Sequence, residues 1–188
     1  EIASCLVGSE MCIRDRYRFG VTAIETENGY KVYGNQSYKP QHLNIEGDWS
    51  QAAFFLAAGA LGGNVSIENL DTASYQGDKA IYQLLRQFGA DITINGQVLS
   101  CKHNKLNGIE IDAENIPDLV PILAVVAALA EGTTTITGAA RLRIKESDRL
   151  HAITEGLNKL GADITELPDG LRINGVKSLN GGAVQGYN

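Results

Sequence analysis

The chain repeats itself, and that constrains its fold more than any single motif. Four marker pairs recur at nearly constant spacing: Asp48 with Asp118, Gly63 with Gly132, Asp78 with Asp148, and Gly89 with Gly161, separated by 70, 69, 70 and 72 residues. A fixed period of this size signals a duplicated supersecondary unit that buries its apolar face against its own copy. The first copy spans residues 43–112 and the second 113–188, reaching back to a strand at Ile109-Glu110-Ile111. Each reads as strand, helix, strand, helix, strand, strand. In the first copy, Leu43-Asn44-Ile45 is the opening strand. Asp48 precedes an apolar helix (Gln51 to Leu61) that Gly62-Gly63 stops. Val65 to Ile67 is the next strand, and the second helix runs from Asp78 to Phe88. The second copy repeats this with a helix from Leu119 to Ala130, a β-branched strand at Thr133–Thr137 and a helix from Asp148 to Leu160. Gly89-Ala90-Asp91-Ile92-Thr93 and Gly161-Ala162-Asp163-Ile164-Thr165 open matching hairpins. The helices Gln51–Leu61 and Leu119–Ala130 are apolar nearly all round, which places them inside the fold. The expected class is α/β, with repeated βαβαββ units packed around buried helices.

The rest of the chain divides differently. Residues 1–16 read as a non-native segment, because Met11-Cys12-Ile13-Arg14-Asp15 back-translates to a run resembling the end of a transposon-type sequencing adapter. Residues 17–42 read as the end of another domain, with Phe19-Gly20-Val21 leaving a helix, a hairpin turning at Gly29, and a polar linker from Asn35 to His42. Setting 1–16 aside removes Cys5 and Cys12 and leaves Cys101, so neither a disulfide framework nor a zinc site is indicated. The net charge of −6 and 6% aromatic content argue against a base-stacking nucleic-acid surface. The longest apolar run, Leu119 to Ala130, is too short for a membrane span. The cytoplasm is the expected compartment.

Chemistry concentrates at the close of the second copy, in Arg141-Leu142-Arg143-Ile144-Lys145-Glu146-Ser147-Asp148-Arg149-Leu150. The alternation of Arg141, Arg143 and Lys145 with Leu142 and Ile144 predicts a strand with its cations on one face. Ser147 then reads as the N-cap of the following helix. A cationic strand end entering a helix N-terminus suits an anion such as phosphate or carboxylate, and Lys145 beside Glu146 could move a proton. Such a run is ordinarily a solvated turn. Its one-sided cations and its place at the end of a repeat set this one apart. Asp118 follows Pro117 at a helix start, and position alone leaves an N-cap and a proton acceptor equally open. Asp48 reads as a cap.

Taken together, Glu46-Gly47-Asp48 before Ala52-Ala53-Phe54-Phe55-Leu56, Ile116-Pro117-Asp118, Gly132-Thr133-Thr134-Thr135 and Arg143 through Leu150 resemble the 5-enolpyruvylshikimate-3-phosphate synthases, from Tyr17 to Asn188. The resemblance implies an inside-out α/β barrel of the enolpyruvate-transferase kind, present here in part, with a third unit missing. It implies transfer of an enolpyruvyl group from phosphoenolpyruvate to the 5-hydroxyl of shikimate 3-phosphate, without cofactor or metal. The full-length protein would be a monomer whose partners are these small molecules, not nucleic acid or a membrane. By this likeness Asp118 takes the hydroxyl proton, Lys145 contacts the substrates, Glu146 shuttles the methylene proton and Arg149 holds phosphoenolpyruvate. Arg141 stands where some members carry an Asn that contacts the shikimate phosphate, so its role carries over only weakly. Arg143 aligns with a family arginine, with a structural partner expected. The 188-residue chain by itself is expected to be inactive. Three other readings share features: a UDP-N-acetylglucosamine enolpyruvyl transferase, whose pattern lacks the Lys-Glu-Ser-Asp-Arg run; a relative that cyclises RNA 3′-phosphate ends; and a non-catalytic repeat domain.

Overall fold

The computed structural model describes residues 10–187, with side chains from residue 13 onward, and divides into 1–46 and 47–188. Calls that fall on residues 1–9 lie outside the described residues. In the first unit, helix α1 (Glu10–Arg18) runs across the 16/17 boundary read from the sequence. It is followed by the antiparallel hairpin β1 (Ala23–Thr26) and β2 (Gly29–Val32). The Gln36 side chain closes the segment after the hairpin, accepting from the Thr22 N–H at 2.8 Å and donating to the Thr22 carbonyl at 3.1 Å.

The second unit holds both repeats. Its first copy consists of α2 (Trp49–Leu61), β3 (Asn64–Ile67), a 3-10 turn at Gly77–Lys79, α3 (Ala80–Phe88) and the hairpin β4 (Asp91–Asn95) and β5 (Val98–Lys102). The second copy consists of β6 (Glu110–Asp112), a 3-10 turn at Pro117–Leu119, α4 (Val120–Ala128), β7 (Thr133–Thr137), a 3-10 segment at Ala140–Ile144, α5 (Arg149–Lys159) and the hairpin β8 (Asp163–Leu167) and β9 (Gly170–Asn174). The sheets run β3-β5-β4 and β6-β7-β9-β8, antiparallel except for β6 beside β7.

The expected layering is present. Trp49, Leu56, Leu85 and Phe88 of the first copy and Leu119, Leu123, Leu142 and Leu150 of the second belong to one continuous buried cluster. Neither copy has a core of its own, as a repeat that cannot bury its apolar face alone requires. Truncating a fully buried leucine such as Leu123 would cost about 2–5 kcal/mol. Helix α2 also approaches β5 at Gly59, where a Cβ would sit 2.7 Å from the Cys101 carbonyl oxygen.

Four expectations are corrected. Leu43-Asn44-Ile45 forms no strand, and Ile45 is 87% exposed, so its apolar alternation buries no face. The second copy does build its opening strand, with the Thr135 N–H bonding to the Ile109 carbonyl and the Ala113 N–H to that of Thr137. Helix α2 is not buried all round: Phe54 and Phe55 are exposed. The 78–88 helix begins as a 3-10 turn. The alternating run Arg141–Lys145 is no strand either. The Leu142 N–H bonds back to the Ala139 carbonyl, Leu142 is fully buried and Ile144 is 80% exposed. A strand would have turned both apolar residues to one side, whereas the tighter coil needs only Leu142 inside.

Candidate active site

Two turns carry the site. The first is Pro117–Leu119, where Pro occupies the start of the coil and the preceding cap residue, Ile116, offers no side-chain acceptor. Asp118 therefore sits inside the turn, and its carboxylate does not cap the helix. The second runs from the extended Lys145 to Asp148, the N-cap of α5. The cap is Asp148 and not Ser147: its Oδ1 accepts from the His151 N–H at 3.1 Å. That shift of one residue places Arg149 at the first position of the helix.

The turns meet through Arg149. Its Nη1 donates to Asp118 Oδ1 at 3.0 Å and its Nη2 to Glu146 Oε2 at 2.8 Å. Lys145 Nζ lies 3.8 Å from the same Asp118 oxygen. Two cations thus face two carboxylates, with no formal net charge. A cation at a helix N-terminus is opposed by the helix dipole, and the two carboxylates offset this for Arg149. The Arg149 side chain is 31% exposed and that of Glu146 74%, so the cluster opens to solvent. Glu146 is held below the usual carboxylate range, first by its own backbone N–H and then by the Arg149 hydrogen bond. It stands ionised, a weaker base than a free carboxylate and correspondingly more acidic once protonated.

The structure brings together Asp118, Lys145, Glu146 and Arg149. Arg141 is exposed in the 3-10 segment and enters none of these ion pairs. Arg143 faces away from them, toward Asp148 and Glu166. His151 lies 3.3 Å from Glu166 and 3.8 Å from Glu155. Asp78 is marked in the sequence as a repeat position and helix start, but not as a neighbour of the site. It accepts from Ser50 Oγ at 2.5 Å, and burial pushes its carboxyl up, with Asp118 and Asp48 adding to the rise. The negative charge of Asp118 is thus felt at Asp78 in the first copy, forty residues away in sequence. Asp48 is a cap, accepting from the Ser50 N–H at 2.8 Å and the Gln51 N–H at 3.2 Å. Among the described residues no group of three His, Cys, Asp or Glu side chains could hold a metal ion, and no helix is long and apolar enough to cross a membrane.

Repeated α/β units around inward helices place the chain in the enolpyruvyl-transferase fold class. The enolpyruvyl transferase NikO from Streptomyces tendae shares this fold, with a TM-score of 0.63 at 17% identity over 88% of this chain and 39% of that one. The particular family is EPSP synthase (3-phosphoshikimate 1-carboxyvinyltransferase): its sequence profile matches residues 16–188, and the chain belongs to it. A 3-phosphoshikimate 1-carboxyvinyltransferase from Clostridium perfringens (strain SM101 / Type A) is 53% identical over 174 residues, covering 90% of this chain and 41% of its own length. An EPSP synthase from Acinetobacter baumannii superposes with a TM-score of 0.75 at 30% identity, over 90% of this chain and 41% of that one. The chain thus spans about two fifths of the relatives it matches.

Proposed function

We propose that the protein carrying this chain transfers the enolpyruvyl group of phosphoenolpyruvate to the 5-hydroxyl of shikimate 3-phosphate, a step toward the aromatic amino acids. The observation that carries this reading is the Arg149 fork spanning Asp118 and Glu146 beside Lys145. Both substrates are anions, and the reaction moves two protons. The hydroxyl oxygen adds to C2 of phosphoenolpyruvate as it loses its proton, while C3 gains one. Then C3 gives its proton back as the C2–O bond to phosphate breaks, releasing inorganic phosphate and the enol ether. Asp118 takes the hydroxyl proton in this scheme. Glu146 exchanges the C3 proton, and its lowered pKa makes it a ready donor once protonated. Arg149 trades its carboxylate partners for the phosphoenolpyruvate anion, to which its planar fork is matched. Lys145 adds positive charge where the substrates meet, and Arg141 is a further cation available to the shikimate phosphate.

The units 43–112 and 113–188 are, in this reading, two of the repeats of one domain, with 17–42 the end of the other and 1–16 foreign to both. A monomer in the cytoplasm is part of the same proposal. The test is a steady-state assay of the full-length protein with both substrates. Phosphate release that requires both, with an enol ether product by mass spectrometry, is expected. Release with UDP-N-acetylglucosamine as acceptor, and none with shikimate 3-phosphate, would overturn the assignment.

A further inference from the structure

We propose that Arg143 is a positioning residue for the Asp118–Arg149–Glu146 cluster, setting the Lys145–Ser147 turn and the start of α5 by bracing Asp148 against the β8–β9 turn. The inference deepens the functional reading above and rests on it for its kinetic consequence. Arg143 touches none of the three cluster side chains. Its Nη1 donates to Asp148 Oδ2 at 2.8 Å and to Glu166 Oε1 at 2.6 Å. Its Nε donates to the Pro168 carbonyl at 2.8 Å and its Nη2 to that of Leu167 at 2.6 Å. One guanidinium thus joins three segments: the 3-10 coil, the helix cap and the end of β8. Asp148 is shared. One oxygen caps α5 through the His151 N–H, and the other holds Arg143.

The consequence is geometric. The chain from Arg143 to Asp148 is closed by a side-chain bond at its two ends, and the residues inside the closure include Lys145 and Glu146. Arg149 follows directly. With its ends fixed, a short turn loses most of its backbone freedom. Its exposed Lys and Glu side chains then point from a defined base. Glu146 is mostly exposed and has little packing of its own to orient it. A lysine at 143 would keep one charge but could not reach carbonyls and carboxylates on three segments at once. Glu166 also faces His151, so it is the meeting point of the brace and the next turn of α5.

The experiment uses the full-length protein and the variants Arg143→Lys, Arg143→Gln and Asp148→Asn. Three quantities are read: kcat and KM for each substrate, the thermal midpoint, and the Nε–Hε NMR signal of Arg149 in arginine-labelled protein, assigned by its absence in Arg149→Lys. We expect folded Arg143→Lys to lose about tenfold to hundredfold in kcat/KM for phosphoenolpyruvate, the size of effect that ångström-scale misplacement produces. The Arg149 signal is expected to shift and exchange faster with solvent. A folded Arg143→Lys with an unchanged Arg149 signal overturns the proposal, as does a loosened Arg149 with unchanged kinetics. Should both Arg143 variants fail to fold, Asp148→Asn decides on the same readouts, since Asn still caps a helix but gives Arg143 no charge. A wild-type protein that transfers no enolpyruvyl group sinks the functional reading alone, because the Arg149 signal still judges the brace.

Discussion

Replacing Arg149 by lysine separates the charge of this residue from its shape. The guanidinium makes two charge-assisted bonds from adjacent nitrogens, at 3.0 Å to Asp118 and 2.8 Å to Glu146. The same fork would bind both oxygens of a carboxylate or phosphate. An ammonium keeps the charge but presents it at a single point, so one of two parallel bonds is lost. A bond to a charged group is worth about 1.5–3 kcal/mol when fully desolvated. With the side chain 31% exposed, screening brings the loss to about 1 kcal/mol. That corresponds to about a fivefold rise in KM for phosphoenolpyruvate. One effect works the other way. Lysine also pairs less well with Asp118 and Glu146, so the anion displaces it more easily, and fivefold is an upper bound for the conservative change. Arg149→Gln removes the charge as well and is expected to weaken binding further. Steady-state kinetics of the full-length protein, with shikimate 3-phosphate saturating, provide the assay. If KM for phosphoenolpyruvate is unchanged in both variants, Arg149 does not bind that anion, and the reasoning from fork geometry fails.

The repeat-related aspartates should separate by phenotype. Asp48→Ala removes an acceptor for two helix N–H groups and should cost about 1 kcal/mol of stability in urea melts, whereas Asp118→Ala should abolish turnover with a stability change within about 0.5 kcal/mol. Asp78 has its folded pKa raised by burial, so its contribution to stability is present below the unfolded carboxylate pKa and is lost as pH rises through the folded value. Asp78→Asn should therefore gain in melting temperature relative to wild type as pH rises from the unfolded carboxylate pKa through the folded value, and a difference independent of pH would contradict this. Gly59→Ala forces a Cβ to 2.7 Å from the Cys101 carbonyl, and overpacking there should cost about 1–3 kcal/mol, read as a lower thermal midpoint.

Regular elements were legible where the chain supplied its own punctuation. Gly132 and Gly138, both at positive φ, bracket the β-branched run Thr133–Thr137, and the strand fills that interval. Gly89 and Gly161, also left-handed, end their helices where the repeat places them. The run Arg141–Lys145 lacks such stops, and five residues of alternating character fit a strand as well as a coil. Burial of Leu142 alone decided between them, and burial is a property of the whole fold. Pairings across long separations were likewise hidden. Arg149 and Asp118 lie 31 residues apart, and Arg143 and Glu166 lie 23 apart. The family resemblance named the residues of the cluster but not who holds whom.

The two copies show how one duplicated residue takes two roles. Asp48 stands immediately before α2, in extended conformation, where its carboxylate reaches the N–H groups of Ser50 and Gln51. Asp118 comes one residue after a proline that has already begun the coil. Pro117 has no N–H to satisfy, and Ile116 occupies the cap position, so no helix donor claims the Asp118 carboxylate. It turns instead to Arg149 and Lys145, farther along the same copy. The same side chain at the same repeat position is consumed by its own helix in the first copy and faces two cations in the second. The difference rests on where the coil begins relative to the aspartate: one residue after Asp48 but one residue before Asp118, an offset of two. Moving the start one residue toward Asp118, as Pro117→Ser would by offering a cap oxygen and restoring an N–H, should draw Asp118 toward the backbone and lower turnover without unfolding the domain. Unchanged kinetics in a folded Pro117→Ser protein would show that the proline does not keep Asp118 available.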